Sequence, residues 1–219
     1  MIEFRNLRKE FSIGGHRKVV IDNLNMRLPP KMSVALLGRN GAGKSTLLQL
    51  VAGTLDPTSG EILSSGQISW PVGFAGSFHK DLTGYQNTKF IARVYGVDTK
   101  ELAEFTEDFA ELGPHFHLPF RSYSSGMRSR LSFGVSMGIP FDTYLVDEVT
   151  SVGDAAFKDK SQALFLDRMK NAGSFMVSHN MEQVRAMCDV GIVLEHGSAV
   201  FYEDLEEAIE HHLRNMAGG

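Results

Sequence analysis

A short segment near residue 40 combines glycines, a lysine and two hydroxyl residues at a spacing that could bind an anion. Its sequence, GRNGAGKST from residue 38 to residue 46, follows the pattern G-x-x-x-x-G-K-[ST] of phosphate-binding loops. Glycines let the backbone curl so that several N–H groups point at one anion, and the start of a helix adds partial positive charge. We expect Lys44 to direct a full charge toward the β- and γ-phosphates of a nucleotide and the Ser45 hydroxyl to suit Mg²⁺. The residues expected to contact phosphate are Gly38, Asn40, Gly41, Gly43, Lys44, Ser45 and Thr46.

The sequence on either side of this loop argues against the alternative of a glycine-rich turn that binds nothing. The apolar run at residues 34–37 leads into the loop as a buried strand would, and residues 46–52 continue as a helix. A strand, then the loop, then a helix is the context in which phosphate loops of this pattern occur. The segment is therefore predicted to bind phosphate.

Two acids and a histidine follow other predicted strands. Asp147 and Glu148 come directly after an apolar run that starts at Thr143, and His179 follows the strand-like residues 174–178. A carboxylate at the position of Asp147 can hold Mg²⁺ through its water shell, and Glu148 can accept a proton from an attacking water. Acids at such a place can instead cap a helix, which is the structural alternative. With a phosphate loop upstream, we favour the chemical interpretation.

The predicted elements explain why these distant groups would meet. Strands alternate with helices through the loop region and again from residue 143 to residue 204, which indicates a largely parallel sheet in an α/β protein. Ligands gather at the carboxyl ends of the strands in such sheets. Gly38, Asp147, Glu148 and His179 all fall at predicted strand ends, so we expect one site at that edge.

The first 30 residues are predicted to form several short strands, at residues 2–4, 19–21 and 23–28, with a turn at the two glycines before residue 16. Further short β-like runs lie at residues 60–78. Phe11, upstream of the phosphate loop, could stack on a nucleotide base, and the alternative is an aromatic residue of the core at a strand edge.

The pattern becomes helical from Leu82 to about Ile139. Thr83 is predicted to cap a helix that ends at Tyr95, and Asp98 or Thr99 to cap another that ends at Leu112. A long helical run is predicted from Arg128. Small residues precede it and could make a second anion-receptive helix start, and the alternative is an ordinary serine cap. The residues concerned are Ser124, Ser125 and Gly126.

Composition limits the class of protein. The chain has 219 residues, 42% hydrophobic and 22% charged, which fits one globular domain spanning residues 1–219. A net charge of −4 argues against a dedicated nucleic-acid binder, so we expect no nucleic-acid partner. Cys188 is the single cysteine, which excludes a disulfide framework. No apolar run approaches the roughly 20 residues needed to cross a bilayer, so we expect a soluble protein that needs another component to anchor it at a membrane.

The order and spacing of these motifs resemble those of ATP-binding cassette (ABC) subunits of membrane transporters, over essentially the whole chain. Residues 38–45 match the Walker A loop of that family, and residues 144–147 match Walker B. The resemblance makes Glu148 the catalytic glutamate and His179 the switch histidine. Residues 123–127 stand at the signature motif. Residues 151–154, which end at Asp154, match the D-loop.

More narrowly, the chain resembles ATPase subunits of bacterial capsular polysaccharide exporters, through residues 68–73, 123–131 and 146–149. Two departures from the family pattern stand out. The signature has Ser125 where many cassettes have glycine and Met127 where many have glutamine. The glutamine of the Q-loop is missing from its usual neighbourhood, where His79 is our candidate to replace it as a metal-sensing residue.

The resemblance implies a fold, cofactors and partners. The fold would be a P-loop NTPase (RecA-like) core with a small antiparallel β layer and a helical insert subdomain at about residues 82–139. Lys44, Glu148 and His179 would be catalytic, with ATP and Mg²⁺ bound, and Ser45, Asp147 and His79 near the metal. A head-to-tail homodimer would pair each Walker A loop with the signature motif and Asp154 of the other chain.

The same resemblance implies an integral membrane permease subunit and a polysaccharide export machinery as partners, at the cytoplasmic face of the bacterial inner membrane. One alternative is an exporter ATPase for another glycan, of the O-antigen or teichoic acid type. A second is a soluble P-loop ATPase without a membrane partner, but the long coiled-coil insert or tandem cassettes usual there are missing. A small kinase or GTPase is the third, and the Asn-Lys-x-Asp run of GTPases does not occur.

Overall fold

The computed structural model describes residues 1–73, 76, 78–147 and 155–217. These residues fall into two compact units. The first lies within Met1–Pro71, Phe141–Glu148 and Asn171–Gly219, and the second within Val72–Pro140 and Val149–Lys170.

The first unit contains two sheets and the helices that cover them. Its strands are β1 (Ile2–Ile13), β2 (His16–Leu28), β3 (Ser33–Leu37), β4 (Ser59–Ser64), β5 (Ile68–Pro71), β6 (Thr143–Asp147), β7 (Gly173–Val177), β8 (Val190–Glu195) and β9 (Ser198–Tyr202). Its helices are α1 (Lys44–Val51), α6 (Met181–Met187) and α7 (Leu205–Ala217). The second unit contains α2 (Gly84–Tyr95), α3 (Thr99–Ala110), α4 (Ser125–Gly138) and α5 (Ala155–Met169).

The larger sheet has six strands in the order β5-β6-β7-β3-β8-β9. Its neighbours run parallel from β5 to β8, and only β9 pairs antiparallel, with β8. Every residue of β3 and β7 is buried, as expected for apolar strands in the middle of a covered sheet. The prediction of a largely parallel sheet in an α/β fold is therefore confirmed.

The smaller sheet is antiparallel, in the order β2-β1-β4. The prediction of several short strands in this part of the chain is wrong, because β1 and β2 are continuous over 12 and 13 residues. Register shifts interrupt their pairing between Phe4 and Leu7 and again between Leu7 and Glu10. Such bulges insert extra residues and break the alternation of polar and apolar positions, so one strand has the sequence pattern of several.

Two helices of the second unit begin at side-chain caps. The Thr83 hydroxyl accepts a hydrogen bond from the Gln86 N–H, and the Gln86 side chain accepts one from the Thr83 N–H, so the predicted cap is confirmed as a capping box. Asp98 caps α3 through the N–H groups of Lys100 and Glu101. That helix ends at Ala110 rather than at Leu112, because the next residue adopts a left-handed conformation.

Aromatic rings and close helix contacts fill the core of the second unit. Phe109 lies 5.8 Å from Phe133 on α4 and 5.2 Å from Phe157 on α5, measured between ring centroids. A Cβ atom on Gly138 would lie 2.4 Å from the Leu102 side chain, so α4 and α3 approach closely at a glycine. Packing of aromatic residues from three helices therefore stabilises this unit.

Candidate functional site

The phosphate loop follows β3 and needs glycine at its two ends. Gly38 has a φ of +149°, and a Cβ atom there would lie 2.5 Å from the Leu194 carbonyl oxygen. Gly43 has a φ of +108°, and its Cβ would lie 2.5 Å from the Val20 side chain. Gly43 also precedes α1 without a side-chain cap. The N–H groups at the start of α1 are thus left to bind another acceptor, as an anion site requires.

Lys44 reaches back over its own loop. Its Nζ atom donates hydrogen bonds to the carbonyl oxygens of Gly38, at 2.6 Å, and Arg39, at 3.1 Å. The two bonds close the loop into a ring around the ammonium group. This arrangement places a full positive charge beside the N-terminal dipole of α1, where the two add.

A cleft of about 360 Å³ opens at this loop, and we call it the phosphate cleft. It brings together most of the residues that the sequence nominated from four separate segments. Its lining consists of Phe11, Lys18, Val20, Asn40, Gly41, Gly43, Lys44, Ser45, Thr46, Asp147, Val177 and His179. Gly38 is not part of this lining and instead holds Lys44 through its carbonyl oxygen.

Asp147 and His179 reach the cleft because their strands are neighbours. Asp147 ends β6 and pairs with Val177 at the end of β7, two residues before His179. Beyond β7, the Asn180 N–H donates to the Ser178 hydroxyl at 3.1 Å, and the Asn180 side chain caps α6. These bonds hold the segment that carries the imidazole at the edge of the sheet, as the parallel topology predicted.

The oxygen donors of the cleft fit a magnesium ion. Mg²⁺ prefers hard oxygen ligands and usually keeps waters and phosphate oxygens in its shell, so one or two protein oxygens suffice. The Ser45 hydroxyl and the Asp147 carboxylate line the same cleft as Lys44. The donor set is therefore suited to a metal ion that arrives with a phosphate.

Phe11 packs against the core, as one interpretation of the sequence predicted, and its position in the cleft leaves stacking on a base a prediction. Its ring packs against the hydrophobic core of the first unit and also lines the phosphate cleft. The Lys9 ammonium lies 5.1 Å from the ring centroid, which adds a cation–π contact. The ring is thus held by contacts with the protein while it borders the cleft.

Lys18 is a cleft residue that the sequence analysis missed. It pairs directly with Phe11 across the β1–β2 hairpin and lines the phosphate cleft with an exposed side chain. The pair of glycines at the hairpin turn was the available signal, since counting back from that turn brings Lys18 opposite Phe11. It adds a second cation to the site.

The signature-like residues lie at the start of α4, in the second unit. The Ser124 hydroxyl accepts a hydrogen bond from the Met127 N–H at 3.3 Å, so Ser124 is a helix cap, the structural alternative considered above. Helix α4 therefore begins at Ser125, three residues before the predicted start at Arg128. Ser125 and Gly126 are exposed in its first turn. Tyr123 anchors this segment, because it is buried and its hydroxyl donates to the His115 carbonyl at 2.7 Å. Burial raises the pKa of Tyr123 to about 12, so that it remains a donor.

His79 also belongs to the second unit. Its N–H donates to the Asn87 side chain at 2.8 Å, and its carbonyl accepts from that side chain at 3.0 Å. The ring Nδ1 atom accepts from the Asp81 N–H at 3.3 Å. These bonds fix an exposed imidazole at the start of a helical segment, and its part in metal sensing stays a prediction.

Two of the predicted site groups, Glu148 and residues 151–154 with Asp154, lie outside the described residues. In the part of the chain that the structure does describe, no helix is both long and apolar enough to span a membrane.

The parallel sheet, the phosphate loop and the cleft define a P-loop nucleotide-binding protein. The family model described as ABC transporter matches residues 21–151, and the chain belongs to this family. It is an ATPase subunit of the ABC transporter type, and the predicted family and fold are confirmed.

Two of the curated relatives that match the chain over nearly its full length are the following. The polysialic acid transport ATP-binding protein KpsT of Escherichia coli is 48% identical over 215 residues, which cover 97% of this chain and 96% of the relative. The capsule polysaccharide export ATP-binding protein CtrD of Neisseria meningitidis is 39% identical over 212 residues, which cover 97% and 98%. In fold, the chain is similar to the dimeric ATP-binding cassette MJ0796 in a post-hydrolysis state with ADP and phosphate. The TM-score is 0.72 at 20% identity, over 93% of this chain and 99% of that one.

Proposed function

We propose that this chain binds ATP with Mg²⁺ in the phosphate cleft and uses ATP hydrolysis to drive export of capsular polysaccharide through a separate membrane permease. One observation carries the proposal, namely that Lys44, Ser45, Asp147 and His179 line one cleft at the carboxyl edge of the sheet. The likeness to relatives named for polysialic acid transport and capsule polysaccharide export supports the substrate class.

Each side chain of the cleft has a part in this proposal. Phe11 stacks on the base, and the loop N–H groups with Lys44 bind the β- and γ-phosphates. Ser45 and Asp147 would hold Mg²⁺, which would supply positive charge to the phosphate groups. Glu148 accepts the proton of the attacking water, and His179 contacts the γ-phosphate from the end of the neighbouring strand β7. These fixed donors stabilise the charge on the transferred phosphoryl group, and this stabilisation accelerates the reaction.

The domain organisation and the dimer belong to the same proposal. The chain is a single nucleotide-binding domain over residues 1–219, with a helical subdomain at about residues 82–139. In a head-to-tail homodimer, Ser124, Ser125 and Gly126 of one chain, with Asp154, complete the ATP site of the other. The exposure of Ser125 and Gly126 in the first turn of α4 supports this role, because a helix start without covering side chains can receive an anion.

The chain works at the cytoplasmic face of the bacterial inner membrane, as a peripheral subunit held by its permease within the polysaccharide export machinery. His79 is proposed as the residue that senses the state of the permease and of the metal. Export of another glycan, of the O-antigen or teichoic acid type, is the alternative within the same mechanism.

An export assay tests the proposed substrate. A capsulated strain that lacks its own export ATPase would receive either the wild-type gene or Lys44→Ala, and surface capsule would be measured with a capsule-specific antibody. Restoration by the wild type alone is expected. A chain that restores O-antigen export in the corresponding mutant, and not capsule, would assign the protein to the alternative glycan.

A mixing experiment tests the shared ATP site, with Glu148→Gln in all chains to hold the dimer closed. Gly126→Asp places an anion where phosphate would bind, and the space around Gly126 is open, because a Cβ atom there meets nothing within 4 Å. Lys44→Ala removes the phosphate-facing charge. In a heterodimer of these two variants, one site carries both defects and the other carries neither. A double mutant mixed with wild type has one defect in each heterodimer site.

A tagged pull-down with ATP and Mg²⁺ compares these two mixtures. The head-to-tail model predicts recovery of heterodimer from the first mixture and little from the second. Equal recovery from both would show that the ATP site is not shared between chains, and the dimer model would then be wrong.

A further inference from the structure

The C-terminal helix, α7, runs along β8 toward the phosphate loop. Near its start, a Cβ atom added to Gly191 on β8 would lie 2.3 Å from the Ala208 Cβ, so helix and strand are in close contact there. Near its end, the Asn215 side chain donates to the Glu195 carboxylate at 2.7 Å. Since β8 pairs in parallel with β3, which leads into the loop, the second half of α7 lies beside the strand ends from which the loop starts.

Three further contacts fasten α7 in this position. Arg185 on α6 binds the Glu206 carboxylate with two hydrogen bonds, of 2.7 and 3.0 Å, at the beginning of the helix. The Tyr202 hydroxyl on β9 lies 2.9 Å from His211 Nδ1. The helix therefore has little freedom to shift away from the sheet, and a side chain on its buried face is held in place.

His212 is on that buried face, one turn after Ala208. Only 8% of its surface is exposed, and its Nδ1 atom has no hydrogen-bond partner among the described residues. A buried polar atom without a partner costs free energy, so a sequence keeps one where it has a use. The assigned roles in the cleft do not involve this imidazole.

The charged groups around His212 connect it to the phosphate cleft. Burial, followed by the positive charges of Lys44, His179 and His211, lowers the pKa of His212. Of the strands that α7 packs against, β3 carries no titratable side chain, β8 carries Glu195, bonded to Asn215, and β9 carries Tyr202, bonded to His211. Since α7 packs against β3, which leads into the phosphate loop, the buried ring lies where a change of charge in that loop can affect its pKa.

We propose that His212 is a proton-linked positioning residue for nucleotide binding, which is neutral in the free protein and takes up a proton from solvent when phosphates bind at Lys44 and His179. The inference rests on the proposed function. Burial and the nearby positive charge of Lys44 disfavour the protonated imidazole, and bound phosphate groups offset that charge, so the bound state favours the protonated form. By linkage, protonation of His212 strengthens nucleotide binding by the same factor.

The pH dependence of affinity tests this proposal. The dissociation constant of a non-hydrolysable ATP analogue with Mg²⁺ would be measured calorimetrically from pH 8 to pH 6 for the wild type, His212→Leu and His212→Gln. The analogue avoids hydrolysis during the titration and carries the γ-phosphate that His179 is proposed to contact. The dissociation constant of each variant is divided by that of the wild type. This ratio removes the contributions from protonation of the nucleotide and of His179, which the variant and the wild type share. We expect both ratios to rise by about threefold to tenfold between pH 8 and pH 6, from one added charge near the phosphates at intermediate dielectric.

His211→Gln is the matched control, because it removes a neighbouring imidazole of α7 that is bonded to Tyr202. Because His212 is still present in this variant, its ratio should change with pH less than the ratios of the two His212 variants. Titrations at pH 6.5 in two buffers of different ionisation enthalpy count protons, and the wild type should take up more of them than either His212 variant. Thermal melting at pH 8 checks that the variants fold. If His212→Leu does not fold, His212→Gln alone is compared with the wild type.

Constant ratios for both His212 variants, with equal proton uptake, would overturn the proposal and leave the ATP site intact. Absence of binding of the ATP analogue by the wild type would overturn the proposed function, and this inference with it.

Discussion

Replacement of Lys44 by methionine isolates the charge that the phosphate loop holds at its centre. Methionine keeps an unbranched chain of similar length and is a good helix former, so α1 should still begin at this residue. In the free protein, the change removes the hydrogen bonds from Nζ to the Gly38 and Arg39 carbonyl oxygens. Arg39 is exposed and its carbonyl can bind water instead, but Gly38 is buried and its carbonyl loses a partner, so we expect a loss of about 1–3 kcal/mol in the free energy of unfolding.

The variant should also lose affinity for the nucleotide. Hydrogen bonds between charged groups contribute about 1.5–3 kcal/mol, which corresponds to a roughly tenfold to 150-fold weaker affinity for ATP. At an ATP concentration about 100 times the wild-type dissociation constant, binding stabilises the wild type by about 2.7 kcal/mol. A 100-fold weaker variant would gain only about 0.4 kcal/mol, so the ATP-induced rise in melting temperature should fall from about 5–10 °C to about 1 °C.

Lys18→Met is the matched control for this measurement. Lys18 lines the same cleft, and its side chain makes no hydrogen bond or ion pair among the described residues. An exposed charge of this kind should contribute at most about 1 kcal/mol, so the control should keep most of the ATP-induced shift. Equal losses in the two variants would show that general positive charge, rather than the position of Lys44 in the loop, determines affinity, and the reasoning would be refuted.

Three further predictions concern other parts of the chain. Glu148→Gln should bind ATP without cleaving it, so size-exclusion chromatography with ATP and Mg²⁺ should show a dimer that is absent without nucleotide. Normal hydrolysis by that variant would reduce Glu148 to a helix cap. His79→Ala should keep ATP binding and lose permease-stimulated hydrolysis, and unchanged export in cells would count against its role. His212 has a lowered pKa in the folded protein, so the unfolded chain binds its proton first and stability should fall as the pH drops below about 6.5. Denaturant titrations without nucleotide at pH 7.5 and pH 5.5 should show a smaller loss for His212→Leu, and equal losses would contradict this.

The phosphate loop and the strand-end residues were predictable because they depend on local pattern and on a general rule of topology. The spacing from Gly38 to Ser45 defines the loop by itself. Asp147 and His179 end or follow apolar strands, and a parallel sheet brings such ends to one edge. No long-range contact had to be known for either prediction.

What the sequence did not predict depends on pairing and packing. Lys18 joins the cleft through the register of a hairpin, and the bulges that set this register also hid the true length of β1 and β2. His212 sits in a helix with many charged residues, and its burial follows from the contact of α7 with Gly191. Ser125 begins α4 because Ser124 caps it, an outcome that the sequence allowed without requiring.

ATP hydrolysis in the phosphate cleft is tested most directly by the rate of phosphate release from the purified chain with ATP and Mg²⁺. The rate would be measured in parallel for the wild type and Lys44→Met, at equal concentrations of folded protein. We expect saturable hydrolysis by the wild type and a loss of at least about 100-fold in the variant, because the charge that Lys44 presents to the transferred phosphate is gone. Equal rates from the two proteins would contradict the assignment of the phosphate cleft as the site of ATP hydrolysis.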